Sequence, residues 1–427
     1  MLTSMTALLL VVYLINLSIG FWLKYLNLTY LKRHTESVPP EFEGAVDHGL
    51  VQKISQYTFE NSRVNMVESA IGNIFLLLVF FGGLLGVYDN WVTSMTGSFI
   101  GRGVLFFLLL LFVETLLGMP FSLYRNFKVE SRYGFNTMPL GLWISDLVKS
   151  FAISSILGAI VIVSALSIVR SNPNWWWLWV WAFFLVFSLF MMYIAPYVIE
   201  PLFFKFGPIK TEGLEEKVRL LMERAGVRVS RVFQVDASRR SRHSNAYFTG
   251  IGKVKRIVLF DTLIEQMSQD EILAVLAHEV GHWKKRHVLK RIILTEILAL
   301  AGVFIAYRLL QWDGLPALIG SSPLSFYAKA VVVGFLGSLI MFPLTPLFNF
   351  LSRRDEREAD RFASDLTGHP EALADALIKL SRENLSNLHP HPLYAKFHYS
   401  HPPVVERIRG LRGRQAENKG RSTRRHV

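Results

Sequence analysis

Apolar residues gather into seven long runs, at about Met5–Leu23, Val67–Val87, Val104–Tyr124, Leu147–Val169, Trp175–Ile199, Val288–Leu310 and Ala328–Phe350. A helix needs roughly 20 mostly apolar residues to cross a bilayer, so each run predicts a membrane span. Trp175, Trp176, Trp177 and Trp179 open the fifth run as an aromatic belt at the membrane surface. Pro343 and Pro346 are expected to bend or end the seventh. The first run exceeds a signal-peptide core and lacks a small-residue cleavage site, so it reads as a retained span. Lys24 to Asn65 is too polar to enter lipid, with Pro39-Pro40 as a turn.

From Glu200 to His287 the pattern changes to that of a soluble unit. Leu214–Ala225 reads as an amphipathic helix stopped by Gly226, and strand-like runs follow at Arg231–Val235, Ala246–Thr249 and Arg256–Phe260. Ser268 and Glu271 then form a capping box, and Ile272, Leu273, Leu276 and Val280 give the next helix an apolar face. That helix leads almost directly into the sixth run. After Ser352 the chain is polar again, and its basic end, Arg412 to Val427, is expected to be disordered. The parts are therefore a five-span membrane domain (1–199), a soluble part (200–287), spans six and seven (288–350), a second soluble part (351–411) and the tail (412–427). The fold class is mainly α: a polytopic seven-helix membrane protein with a small α+β domain beside the bilayer.

Composition agrees with a membrane protein. Of 427 residues 51% are hydrophobic and 19% charged, where soluble domains carry about 25% charged residues. The net charge of +13 lies beside the spans and in the tail. Anionic lipid headgroups are the partner it fits, and no nucleic-acid motif accompanies it. Cysteine is absent, which excludes disulfides and thiolate metal sites. Lys and Arg follow spans one, three, five and seven, so the positive-inside rule puts the amino terminus outside and both soluble parts in the cytoplasm.

His278-Glu279-Val280-Gly281-His282 is an H-E-x-x-H pattern on the capped helix. Residues four apart share a helix face, so both imidazoles can bind one zinc ion, with Glu279 placed as general base toward the attacking water. A third protein ligand is needed. Spans six and seven form a hairpin that returns Ser352–Ala363, SRRDEREADRFA, to this helix, and Asp355, Glu356, Glu358 and Asp360 compete there. His389 and His391 in HPHP read better as a Pro-rich loop than as a second metal site. Glu114 and Glu296 lie inside apolar runs, where a charge facing lipid is costly; they should face the bundle interior or water.

HEVGH, SRRDEREAD, HSNAYFTG (His243 to Gly250), YSHPPVVER (Tyr399 to Arg407), RYGFN (Arg132 to Asn136) and EPLFFKFGP (Glu200 to Pro208) together resemble the type I CAAX prenyl proteases, seven-span zinc metallopeptidases of the gluzincin kind. The resemblance covers almost the whole chain and departs in the charges at Asp355, Arg357 and Glu358. It implies one zinc ion per chain held by His278, His282 and Glu356, with Glu279 as base and Asp360 hydrogen-bonded behind a ligand. It also implies that the strand at Asn245, Ala246 and Tyr247 binds substrate backbone, that His401 or Arg407 stabilises the oxyanion, and that the helices enclose a water-filled chamber.

A helical wheel supports the choice of acid. With Glu356 at zero, Asp360, Ala359 and Ala363 lie within about 60° of it, whereas Glu358 is at about 200° and Asp355 at about 260°. The two alanines on the shared face would let another helix approach closely. The expected function is a zinc endopeptidase, a monomer in the endoplasmic reticulum membrane or a bacterial inner membrane, with its active site on the cytoplasmic side. It would cut membrane-associated peptides or proteins, prenylated CAAX sequences among them, near the C-terminus. A quality-control protease of the bacterial heat-shock type is the second reading, although that family is shorter and lacks the five leading spans. A transporter or lipid-binding protein with a structural metal is the third, and the Glu between the two histidines speaks against it.

Overall fold

A computed structural model of the protein describes residues 4–249, 255–321 and 323–423. Gly250, which closes the HSNAYFTG stretch, and residues 424–427 of the tail lie outside them. Among the described residues seven helices are long and apolar enough to cross a membrane: Ser4–Arg33, His48–Phe80, Phe99–Tyr133, Leu140–Ser171, Trp176–Phe203, His287–Leu310 and Phe326–Thr367. They match the seven runs in number and order.

The differences lie at the ends. The first helix runs on to Arg33 and the second begins at His48, capped by Asp47. Most of the polar segment is therefore helix beyond the apolar runs, and its Phe42, Val46, Val51 and Ile54 enter the core of the soluble domain. The second span stops at Phe80 rather than Val87, because Gly83 adopts a left-handed φ of 79° and a separate helix, Leu84–Met95, follows. Pro343 and Pro346 do not end the seventh span, which is one helix of 42 residues. Pro343 removes the N–H that would bond the Leu339 carbonyl, and Asn16 Nδ2 of the first span donates to that carbonyl instead at 3.0 Å. The third-ligand segment thus lies on the same helix as span seven. The described part of the tail, 412–423, is not disordered as expected either, for it lies in the helix Val404–Thr423. Arg412 fastens it through Glu371, at 3.1 Å, and the Glu41 carbonyl, also at 3.1 Å.

Spans three, four and five bury only 6% of their apolar windows, and span six none. Much of that exposed surface is the apolar face that such helices turn to lipid. Glu296 lines a cavity on the inner side of span six, as expected of an ionisable group in a span, while Glu114 is exposed on span three.

The soluble domain carries a four-stranded sheet of order β1-β2-β4-β3, with β1 Phe206–Pro208, β2 Val229–Val235, β3 Ala246–Thr249 and β4 Lys255–Phe260. β2 and β4 are parallel, and among the described residues β3 pairs antiparallel with β4 alone, which makes it an edge strand. The capped helix spans Gln269–Lys284, with both bonds of its capping box present. Its buried Ile272, Leu276 and Val280 pack into one core with Ile257 and Leu259 of β4 and Leu373 and Leu377 of the helix Pro370–Glu383.

Candidate active site

The two histidines are presented by one helix face and the acid by another helix that crosses it closely. Gly281 makes the approach possible: a Cβ there would lie 3.0 Å from the Cα of Ala359. This is the close contact that the small residues on the Glu356 face predict.

At the crossing, His278 Nε2 and His282 Nε2 are 3.2 Å apart. Glu356 Oε2 lies 3.3 Å from the first and Oε1 3.2 Å from the second. A tetrahedron built on zinc–ligand bonds of roughly 2.0–2.1 Å has edges of roughly 3.3–3.4 Å. The spacing of the two nitrogens is close to that figure, each carboxylate oxygen takes one histidine at a similar distance, and one donor atom from each residue lies within 4.8 Å of the others. Glu356 Oε2 is buried with no hydrogen-bond partner. An oxygen so placed is free to bind a cation, and His278, His282 and Glu356 are the one group of metal-ligating side chains so clustered among the described residues. The donor set fits zinc.

Charges around the group are arranged to keep the acids ionised. Burial raises the Glu356 carboxyl, but the closeness of the His278 and His282 rings outweighs it and holds the pKa far below the usual range. Asp360 is likewise raised by burial, yet the Arg407 guanidinium holds it at about 2. Two donors of Arg407 are engaged in this pair, Nε with Asp360 Oδ2 at 2.9 Å and Nη2 with Oδ1 at 2.6 Å. Its Nη1 lies 3.9 Å from Glu356. Asp360 Oδ1 in turn sits 2.8 Å from His278 Nδ1, so that nitrogen carries the proton and Nε2 is left bare toward Glu356. Glu279 follows His278 on the helix, and burial pushes its pKa up, opposed by His278 and His282.

Glu279 opens into a cleft of about 670 Å³ together with His278, His401 and Arg407. Asn245 and Ala246 line the same cleft, so the start of edge strand β3 faces the acids and histidines. The Tyr247 side chain goes to the other face, where its hydroxyl donates to Glu200 at 2.9 Å. His401 Nε2 stands 3.3 Å from Glu356 Oε1. Its loop is tied down by Arg353 of the long helix, which donates to the Tyr399 carbonyl at 2.6 Å. A second cavity, of about 510 Å³, meets His282, Glu356 and His401 from the membrane side and reaches Leu189 and Met192 of span five and Ile292 of span six.

Some participants were not apparent in the sequence. His287 is 1% exposed, and its Nδ1 lies 3.1 Å from His282 Nδ1. His243 bonds Glu130 at 3.1 Å and the Asn384 amide oxygen at 2.8 Å, tying the end of span three to a residue of the cleft wall. The RYGFN and HSNAYFTG stretches, far apart in sequence, meet here, for Phe135 stacks on His243 at 4.1 Å. His389 and His391 hold structure: His389 donates to the Ser37 carbonyl at 2.6 Å, and His391 Nδ1 accepts from Leu393 N–H at the start of a short helix.

Comparison with known proteins agrees over nearly the whole length. Residues 27–205 match the model of the CAAX prenyl protease N-terminal domain with five membrane helices, and residues 208–415 that of peptidase family M48. A CAAX prenyl protease 1 homolog of Arabidopsis thaliana is 36% identical over 91% of this chain and 92% of its own. CAAX prenyl protease 1 of Saccharomyces cerevisiae is 32% identical over 90% of each. The crystal structure of S. mikatae Ste24p superposes with a TM-score of 0.86 at 29% identity, covering 94% of this chain and 98% of that one. With the fold, the His-His-Glu group and the matched models in agreement, the chain belongs to peptidase family M48, among the membrane metalloproteases that carry the CAAX prenyl protease N-terminal domain.

Proposed function

We propose that His278, His282 and Glu356 hold one zinc ion and that the protein cuts membrane-associated polypeptides near their C-terminus, prenylated CAAX sequences among them. The observation that carries this reading is the convergence of His278, His282 and Glu356, with one donor atom from each within 4.8 Å of the others, beside Glu279 in a cleft edged by β3. Zinc held there would supply Lewis acidity to the scissile carbonyl and the attacking water. Glu279 takes the proton from that water and delivers it to the leaving amine; its burial raises its basicity for this role. Asn245 and Ala246 offer the free edge of β3 to an extended peptide, which holds its backbone in line. His401 faces Glu356 across the site and donates to the oxyanion, while Arg407 secures Asp360 and lends positive charge.

The second cavity supports the substrate class. It brings apolar residues of spans five and six to the edge of the site, so a lipid-modified residue can lie toward the membrane while its peptide crosses to the cleft. The Arabidopsis and yeast relatives are named for prenylated CAAX substrates. The Lys and Arg flanking spans one, three, five and seven support a site on the cytoplasmic side. Purified protein in detergent should cut a farnesylated CAAX peptide faster than its unprenylated twin. Equal rates on the two peptides would reduce the reading to a general membrane peptidase.

A further inference from the structure

We propose that His287 is a positioning residue for the metal site, the middle member of a carboxylate–histidine–histidine chain that fixes which nitrogen of His282 faces the metal. The proposal rests on the zinc site assigned above. His287 opens span six, directly after Arg286, whose φ of 57° is left-handed. That turn breaks the helix and folds His287 back against the helix it has just left. There it is enclosed, with its ring edge-on to His282 at 5.2 Å.

The hydrogen-bond chemistry runs in one direction. Glu358 Oε2 lies 3.2 Å from His287 Nε2, and Asp355 Oδ1 lies 3.7 Å from it. An ionised carboxylate only accepts, so Nε2 of His287 carries the proton. In the neutral ring Nδ1 is then bare and accepts from His282 Nδ1–H across 3.1 Å. That leaves His282 Nε2 without a proton, on the side of His278 and Glu356. The other ligand histidine is fixed more directly, by Asp360 Oδ1 at 2.8 Å, with Arg407 Nη2 farther off at 3.4 Å. One helix, Phe326–Thr367, thus supplies Glu356 and the carboxylates that orient both histidines, one directly and one through His287.

Full-length protein in detergent and three variants test this by zinc affinity in competition with a chelator, with thermal unfolding in chelator as the check on folding. In His287→Phe the pocket stays filled but the acceptor is lost, and zinc should bind about 10–100-fold more weakly. In His287→Asn the amide oxygen stands near the place of Nδ1 and should restore affinity close to that of the unaltered protein. A packing role predicts the opposite order, with Asn the worse variant. Should His287→Phe fail to fold, the Asp355→Ala, Glu358→Ala double variant carries the test and should also weaken zinc. Unchanged affinity in the Phe or double variant, or Asn as weak as Phe, overturns the chain. Glu356→Ala serves as control: if it binds zinc as before, the zinc site itself is misassigned and the chain falls with it.

Discussion

Adding one methyl group at Gly281 tests how the site is assembled. An ideal Cβ there would lie 3.0 Å from Ala359 Cα, 3.2 Å from its carbonyl oxygen and 3.3 Å from its Cβ. Carbon atoms pack at about 3.5–4.0 Å, so the two helices must separate by about half an ångström or more. Backbone atoms cannot yield as a side-chain tip would. Alanine gains about 0.8–1.0 kcal/mol over glycine inside a helix, whereas overpacking costs about 1–3 kcal/mol. The net loss of stability is therefore at most about 2 kcal/mol, and the protein should still fold. Zinc should suffer more. Ala359 lies between Glu356 and Asp360, so the separation acts on both acids, and ligand distances tolerate only about 0.2 Å. Gly281→Ala should lower zinc affinity and peptidase activity together, with a melting temperature close to normal. Gly302→Ala, in span six where nothing lies within 4 Å of the added atom, is the control and should change neither. Full zinc affinity and activity in Gly281→Ala would refute the idea that this contact sets the geometry.

Other expectations follow from the same site and topology. Glu279→Gln should retain one zinc per chain and lose nearly all turnover, since it is isosteric and a general base contributes about 10²–10⁴-fold; zinc-loaded protein with preserved turnover would exclude Glu279 as the base. A reporter fused after Gly320 should be found outside and one fused at the C-terminus inside, and the reversed pattern would overturn the orientation read from Lys and Arg.

What the sequence revealed about the site was local or periodic. The HExxH helix has its cap, its apolar face and its two histidines within one short stretch, and the structure has all of them there. Glu356 could be chosen because a wheel puts it on one face with Asp360 and two alanines, and Ala359 is the residue that meets Gly281. His287 could not be found in this way. On an uninterrupted helix it would lie about 140° round from His282, facing elsewhere. Only the left-handed turn at Arg286 brings it back, and a positive φ at an arginine has no signal in composition or spacing. The continuity of the seventh helix was hidden for a related reason. Two prolines argue for a break, and the donor that compensates, Asn16, is more than three hundred residues away in sequence. The basic tail carries its charge as disordered segments do, but Arg412 pairs with Glu371 on another helix.

Because the seventh helix is unbroken, it fixes how far the site stands from the lipid. Glu356 is six residues beyond Phe350, where the apolar run ends, and at 1.5 Å per residue it sits about 9 Å past the hydrocarbon boundary. Headgroups extend roughly 5–8 Å beyond that boundary on each side. The acid is thus held near the outer edge of the headgroup layer, and the cavity beneath it descends toward Leu189, Met192 and Ile292. The two histidines reach the same level from the other arm of the hairpin, since the HExxH helix passes into span six with only the turn at Arg286 between them. Neither arm can slide along the membrane normal without carrying apolar residues into water or charged ones into lipid. The bilayer therefore helps to set the register in which histidines and acid meet.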